Sequence, residues 1–234
     1  MVVLFVEVVD TLASVDGFER EMASIIRREI DINASLDELT KVVKEEWTSR
    51  YNQLISTGSY RSLRSLARDV MMSIARKYSV IIGSREIRYW GDALANVFVS
   101  VARVYDDVEG ALNELAGMGA QLFILTNLDN DIAKKILLKN GLLRFFKGVV
   151  SSDLTRVGKP NVKIFNAALN RAKSSRDESY VVSGLPEDIV GCRLAQLKLI
   201  FVMRKPVEFT TIRPDYVVNT LGEVPKLLQG IKGA

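Results

Sequence analysis

An apolar run that opens the chain and ends in a carboxylate restricts the fold more than any other feature of the sequence. Residues Val2 to Val6 are β-branched, aliphatic or aromatic, and Glu7 follows them directly. Such a run is typical of a strand buried on both faces of a parallel sheet. Active sites of open α/β sheets lie beyond the carboxyl ends of their strands. The sequence therefore predicts a strand that delivers Glu7 to a candidate active site; the alternative is a strand ending in a solvated turn, with Glu7 and Asp10 on the surface.

Two sequence patterns divide the remainder of the chain. Residues 16 to about 105 place apolar residues at three- and four-residue intervals between charged ones, as amphipathic helices do. From Asp106 onward, short apolar strands alternate with helical segments, which indicates a parallel sheet with right-handed crossovers. We therefore predict an α/β fold with a Rossmann-like parallel sheet core, formed by residues 1–14 and 106–234, and an inserted all-helical cap over residues 15–105.

The amino-acid composition excludes several kinds of chemistry. The chain has no histidine and one cysteine, Cys192. Catalytic triads that contain histidine, histidine metal ligands, cysteine-based zinc clusters and intramolecular disulfides are therefore ruled out. The apolar neighbours of Cys192 favour a core residue. Any catalysis has to use carboxylates, lysine, hydroxyls and backbone groups.

Length and charge set further expectations. Hydrophobic residues make up 48% of the 234 residues, enough for a substantial core. The chain lacks a long uninterrupted apolar stretch and the basic flank of a signal peptide, so we expect no membrane span and a cytoplasmic location. The net charge of +4, from 32 basic and 28 acidic residues, is weak evidence for an anionic partner. The apolar stripes of the helical block leave both a monomer and a homodimer open.

Four segments carry polar residues at or near the ends of predicted strands. Glu7 follows the first strand, and Thr126 ends the strand QLFILT. Lys159 precedes a proline and a helical segment, and a later strand leads into a loop that carries Asp188. In this order, and with a helical insertion after the first segment, the chain resembles the haloacid dehalogenase superfamily, which includes dehalogenases and many phosphatases.

The resemblance implies roles for these residues and a small anionic substrate. In the superfamily, a carboxylate of the first motif attacks carbon or phosphorus and forms a covalent ester. Glu7 takes that position because Thr11 matches the threonine that follows the nucleophile by four positions, and a register with Asp10 as nucleophile would misplace Thr11. The implied catalytic residues are Glu7, Thr126, Lys159 and Asp188, and the implied substrate-binding residues are Thr11, Asn127 and Ser183.

The chain departs from the phosphatase pattern in three places. The superfamily has an aspartate where Glu7 stands, and the extra methylene moves the carboxylate oxygens by roughly 1 Å, which can cost about 10²-fold in rate. Val9 lacks the acid that phosphatases use to protonate a leaving group, a contribution of roughly 10²- to 10⁴-fold. Ser183 replaces an aspartate of the magnesium-dependent members. Magnesium is therefore weakly supported as a cofactor, and it would be held by Glu7, Asp188, the carbonyl of Val9 and water.

The dehalogenase pattern also fits only in part. Val9 and Ser183 suit the metal-independent dehalogenases better than the phosphatases. Those dehalogenases, however, have an arginine at the position of Thr48, an asparagine at that of Leu185 and a tyrosine at that of Phe165. A halide cradle would thus lose its main polar donors.

Two functions therefore stay open. The first is a haloacid dehalogenase-like hydrolase that acts on a small phosphorylated or halogenated anion, with Glu7 in the nucleophile position. The alternative is a catalytically inactive protein of the same fold that binds a ligand, a protein or a nucleic acid.

The predicted cap carries arginines at helical spacing that could dock phosphate or an acidic partner. Acidic residues interspersed along the same block favour a solvated helix face instead, and the absence of any RNA- or DNA-binding motif makes nucleic acid an unexpected partner. The arginines are Arg61, Arg64 and Arg68, with Arg50, Arg85 and Arg88 nearby in sequence.

Overall fold

The structure, a computed structural model, describes residues 2–209 and 211–232 of the chain. Its strands in these ranges are β1 (Val3–Val6), β2 (Ala13–Ser14), β3 (Arg103–Val104), β4 (Gln121–Thr126), β5 (Phe146–Ser151), β6 (Ser179–Ser183), β7 (Lys198–Val202) and β8 (Tyr216–Val218). Six of them form a sheet in the order β5-β4-β1-β6-β7-β8, in which every neighbouring pair is parallel. The predicted parallel α/β core is confirmed.

Helices surround the sheet and fill the insertion. In the described ranges they are α1 (Phe18–Glu29), α2 (Leu36–Thr57), α3 (Leu63–Lys77), α4 (Ser84–Val101), α5 (Val108–Gly117), α6 (Asn130–Lys139), α7 (Ser152–Thr155), α8 (Val162–Ala172), α9 (Glu187–Ala195) and α10 (Val224–Lys232). Within the part of the chain that the structure describes, no helix combines the length and the apolar character that a bilayer crossing requires.

Strand β1 alternates between two hydrophobic cores, one on each face of the sheet. Leu4 and Val6 pack into the core that α5, α6 and α10 share with the insertion. Val3 and Phe5 pack into the core on the opposite face, with α8 and α9. All of β1 is buried, as expected for a central strand with helices on both faces. Glu7 therefore begins the loop at the middle of the carboxyl edge of the sheet.

Helices α1 to α4, here called the helical insert, leave and re-enter the core through a short antiparallel ribbon of β2 and β3. The helical pattern was expected to reach about residue 105, but α4 ends at Val101. The chain is extended there because Val104 pairs with Ala13 in the ribbon. The predicted α/β class with an inserted helical block is thus confirmed, whereas the boundaries 1–14, 15–105 and 106–234 stay a prediction.

An aromatic cluster joins the helices of the insert where they face the sheet. The ring centroid of Phe18 lies 5.2 Å from that of Trp47 and 4.8 Å from that of Phe98, and the last two lie 5.3 Å apart. Trp47 and Phe98 are buried. Rings at these separations stabilise one another beyond their burial alone. The cluster therefore gives the insert a rigid apolar wall above the carboxyl edge of the sheet.

Candidate active site

The carboxylate of Glu7 is buried, and both of its oxygens accept hydrogen bonds. Oε1 accepts from the backbone N–H groups of Val8 at 2.6 Å and Val9 at 3.1 Å. The Thr126 hydroxyl, at the end of β4, donates to the same oxygen at 2.7 Å. Oε2 accepts from Lys159 Nζ at 2.5 Å. Because a carboxylate oxygen offers about two lone pairs, Oε1 is saturated while Oε2 keeps acceptor capacity.

The ammonium of Lys159 lies between two buried carboxylates. Its Nζ is 2.5 Å from Glu7 Oε2 and 2.5 Å from Asp188 Oδ2, and all three side chains are almost fully buried. Burial alone would lower the pKa of Lys159, but the charges of Asp188 and Glu7 outweigh it and raise the pKa. Burial raises the pKa of Asp188, against the opposing charge of Lys159. Lys159 therefore stays protonated and holds the two acids together.

Asn127 fixes the backbone of Lys159 beneath the end of β4. The Asn127 amide nitrogen donates to the Lys159 carbonyl at 3.2 Å, and the Lys159 N–H donates to Asn127 Oδ1 at 2.7 Å. The structure thus brings Glu7, Thr126, Lys159 and Asp188 into one cluster, with Asn127 beside it. Their catalytic and substrate-binding roles stay predictions.

Thr11 joins two loops to one another, whereas Ser183 bonds within its own loop. The Thr11 hydroxyl accepts a hydrogen bond from Gly184 N at 2.8 Å, and Ser183 Oγ accepts one from Leu185 N at 3.0 Å. The loops touch here, since a Cβ on Gly184 would lie 1.9 Å from the carbonyl oxygen of Asp10. Both hydroxyl residues are fully buried. Substrate binding by Thr11 and Ser183 stays a prediction, and their observed contacts hold the loops in place.

A cavity of about 260 Å³ opens beside Glu7, between the carboxyl edge of the sheet and the helical insert. The insert supplies an aromatic wall of Phe18, Trp47 and Phe98. The core supplies Asn127 together with Glu7 itself. A small, mostly apolar cavity with a few polar groups at its floor has the character of a ligand pocket. Glu7 thus lines this cavity, although its side chain is almost fully buried, with an exposure of 1%.

Tyr51 and Glu187 are site residues that sequence reasoning missed. The Tyr51 hydroxyl, on α2, donates to Glu187 Oε1 at 2.6 Å at the start of α9. Burial, followed by the charge of Glu187, raises the pKa of Tyr51 well above its ordinary value, so the phenol stays protonated. Two signals were present in the sequence: Tyr51 lies four residues after Trp47, on the same helix face, and Glu187 immediately precedes Asp188.

Lys205 closes the mouth of the cavity and was also missed. Its Nζ donates to Asp10 Oδ2 at 3.0 Å and to Asp16 Oδ1 at 2.9 Å, and all three side chains line the cavity. Burial lowers the pKa of Lys205, but the hydrogen bonds to Asp16 and Asp10 outweigh it and raise the pKa. Nothing in the local sequence signals this contact, because the three residues come from distant segments.

The departures from the dehalogenase pattern lie in three different environments. Leu185 lines the cavity. Thr48 is exposed on the outer side of α2, in a shallow groove with Lys41. Phe165 is buried in the core against Gly191, where an added Cβ would lie 2.5 Å from its ring. Of these positions, only Leu185 therefore changes the chemistry of the pocket surface.

The three arginines at helical spacing are each engaged by another side chain, whereas Arg85 and Arg88 are exposed. Arg61 pairs with Asp69, and Arg68 donates to Ser65 Oγ at 2.8 Å. Arg64 instead crosses to the core, where its guanidinium donates to both oxygens of Asp131 at 2.9 and 2.6 Å. Because Arg64 lies on α3 and Asp131 on α6, this contact links the helical insert to the core.

The chain is similar to known hydrolases in sequence and in fold. The model of the haloacid dehalogenase-like hydrolase family matches residues 33–202. (S)-2-haloacid dehalogenase 2 of a Pseudomonas species is 30% identical over 138 residues, which span 58% of this chain and 60% of the dehalogenase. Glyceraldehyde 3-phosphate phosphatase of Methanothermobacter thermautotrophicus is 25% identical over 215 residues, 92% of this chain and 89% of the phosphatase. The putative HAD-hydrolase YfnB of Bacillus subtilis, solved bound to magnesium, superposes with a TM-score of 0.80 at 19% identity, covering 97% of this chain and 98% of that one.

Proposed function

Since this chain belongs to the haloacid dehalogenase-like hydrolase family, we propose that it hydrolyses a small substrate with an anionic reacting end, and that Glu7 is the nucleophile. One observation carries the proposal: a buried carboxylate, paired with Lys159, lines a cavity between the sheet and the helical insert. The names of the two relatives supply the candidate reacting groups, a halogenated acid and a phosphate ester.

The proposed reaction has two steps. Oε2 of Glu7 attacks the carbon or phosphorus that carries the leaving group, which departs with the bonding electrons and leaves an ester or an acyl phosphate, respectively, on Glu7. Water then cleaves this intermediate, which restores the carboxylate and releases an alcohol or phosphate together with a proton. Three donors hold Oε1, and Lys159 holds Oε2, so the carboxylate is oriented before substrate arrives. Val9 cannot protonate an alkoxide, which favours halide or an acidic phenol as the leaving group.

The side chains at this site do not fit magnesium. The ammonium of Lys159 already lies between Glu7 and Asp188 and supplies the positive charge that pairs with both acids. In the described ranges, no three side chains among histidine, cysteine, aspartate and glutamate gather as a metal site. We therefore expect turnover to be unchanged by EDTA or by added magnesium, and a strict requirement for magnesium would contradict this.

A second candidate function is ligand binding without catalysis. It is favoured by the hydrogen bonds of Glu7 Oε1, which accepts from the N–H groups of Val8 and Val9 and from the Thr126 hydroxyl. Without Glu7, these three donors could bind an anionic group of the substrate. In a protein that only binds its ligand, Glu7 would act as an internal anion, and shortening it to aspartate would free part of the donor set.

Three proteins test the proposal: the native chain, Glu7→Gln and Glu7→Asp. Each is assayed with p-nitrophenyl phosphate and 2-bromopropionate, and unfolding temperatures confirm that the folds are intact. We expect slow native turnover of at least one compound, none in Glu7→Gln, and turnover in Glu7→Asp that is faster by up to about 10²-fold, because geometry limits the nucleophile. Native activity that survives in Glu7→Gln would overturn the proposal, and inactivity of both native and Glu7→Asp proteins would favour binding without catalysis.

A further inference from the structure

The charged side chains that line the cavity are mostly acidic. Four carboxylates and one ammonium line it: Glu7, Asp10, Asp16, Glu19 and Lys205. Lys205 is already shared between two of the carboxylates, and the charge of Glu7 is balanced from behind by Lys159. The lining among the described residues therefore keeps an excess of negative charge and presents no free cation. Such a cavity attracts cationic groups at its mouth.

Asp10 adds an unsatisfied acceptor to this cavity. Its Oδ2 binds Lys205, whereas its Oδ1 is buried without a hydrogen-bond partner in the described part of the chain. Its backbone has a φ of 49°, in the left-handed region, which aspartate and asparagine adopt more readily than most other residues. Buried acceptors without donors are costly. An N–H group of a ligand would satisfy Oδ1.

The opposite wall of the cavity suits an organic cation as well. Phe18, Trp47 and Phe98 line the cavity as one cluster, with ring centroids 4.8 to 5.3 Å apart. The negative faces of aromatic rings attract ammonium groups, most strongly when water is excluded. The same wall would pack against the carbon atoms that carry the ammonium.

We propose that this pocket selects a zwitterionic substrate, one that carries a primary ammonium group in addition to its anionic reacting end. The ammonium donates to Asp10 Oδ1, Glu19 adds negative charge, and the aromatic wall covers the carbon chain. The position of the reacting end, at Glu7, rests on the proposed function. The recognition of the ammonium group does not rest on it, because recognition requires binding and no hydrolysis.

Butylammonium and butyrate, two probes of equal length and opposite charge, test the proposal in NMR titrations at constant ionic strength. The chain has two tryptophans. Trp47 lines the cavity and Trp90 does not, so their indole N–H signals separate binding in the cavity from non-specific effects. We expect butylammonium to shift the Trp47 signal saturably and to leave Trp90 unchanged, with butyrate binding more weakly by about tenfold or more.

Asp10→Asn and Glu45→Gln are the matched variants. Asparagine tolerates the left-handed backbone, so Asp10→Asn should keep the fold and weaken butylammonium binding by about tenfold. Glu45 lies on the outer side of α2, and its replacement should change nothing. The proposal is overturned if butylammonium fails to bind, if butyrate binds as tightly, or if Asp10→Asn binds like the native chain. Because no turnover is measured, a failure of Glu7-dependent hydrolysis would leave a positive binding result standing.

Discussion

Lys159 places one positive charge between two buried carboxylates. Its replacement tests how much that charge contributes to the free energy of unfolding. In Lys159→Met, Glu7 and Asp188 would be left buried without a counter-ion. Removal of one partner from a buried ion pair costs about 3–5 kcal/mol, so we expect the free energy of unfolding in urea to fall by that amount. Lys163→Met, at an exposed position on α8, is the control and should stay within about 0.5 kcal/mol of native. A loss of less than about 1 kcal/mol in Lys159→Met would contradict the buried pairing.

Cys192 gives a second test at the residue scale. Burial, with a smaller effect from the charge of Asp188, raises the pKa of its thiol well above the ordinary value. The thiolate is the reactive form, so we expect iodoacetamide to leave the native protein unmodified in mildly alkaline buffer and to modify it fully in guanidinium chloride. Because it is the only cysteine, intact mass gives the result directly. Rapid modification of the native protein would place Cys192 at the surface.

The strand pattern predicts site residues only where the backbone of the sheet fixes their position, and Lys159 and Asp188 were predicted from the family resemblance instead. Glu7 follows β1 and Thr126 ends β4, so the strand pattern alone predicts that they meet at one edge of the parallel sheet. Tyr51 and Lys205 were not predictable in this way. Their place at the cavity depends on how the helical insert and a long loop pack over the sheet, which short-range periodicity does not encode.

At the scale of elements, Arg64 fastens the helical insert to the core. Its guanidinium on α3 bonds Asp131 on α6 and the buried Asp129. Arg64→Ala would leave Asp129 without its cation, at a cost of about 1–3 kcal/mol. We expect a matching loss in the free energy of unfolding and faster amide exchange in α3. Arg61→Ala is the control, because Arg61 pairs within the insert at an exposed position; equal effects in the two variants would contradict the fastening role.

The order of elements was predictable, whereas their exact ends were not. Alternating strand and helix patterns from Asp106 onward predicted the parallel sheet, and apolar periodicity predicted the helical insert. The β2-β3 ribbon escaped prediction because each of its strands is two residues long. A strand that short has no detectable periodicity and exists only through its pairing.

At the scale of the whole molecule, the ion pair between Arg204 and Asp107 joins distant parts of the chain. Arg204, after β7, pairs with Asp107 at 2.8 Å, and Asp107 also accepts from Leu221 N at 2.6 Å. Burial would raise the pKa of Asp107, but the hydrogen bond and charge of Arg204 outweigh it and lower the pKa. Since the folded-state pKa lies below the unfolded value of about 4, the pair contributes stability above that pH and loses it as the pH falls through the folded-state pKa.

The acid dependence of unfolding tests this link. We expect Asp107→Asn to be less stable than native at neutral pH and to lose less stability on acidification, because the asparagine does not titrate. Asp106 is exposed and precedes Asp107 directly, so Asp106→Asn should show the same dependence of stability on pH as the native protein. Thermal unfolding measured from neutral to acid pH checks both, and parallel native and Asp107→Asn curves would contradict the contribution of the pair.

The central claim, that Glu7 forms a covalent ester, is tested most directly by trapping that ester. The native protein is mixed with whichever of 2-bromopropionate or p-nitrophenyl phosphate it turns over, quenched in acid during the first turnovers, and digested for peptide mass mapping. We predict a mass increase equal to the transferred group, localised by fragmentation to Glu7 and absent in Glu7→Gln. Turnover without any adduct, or an adduct on Asp10 or another residue, would contradict the account.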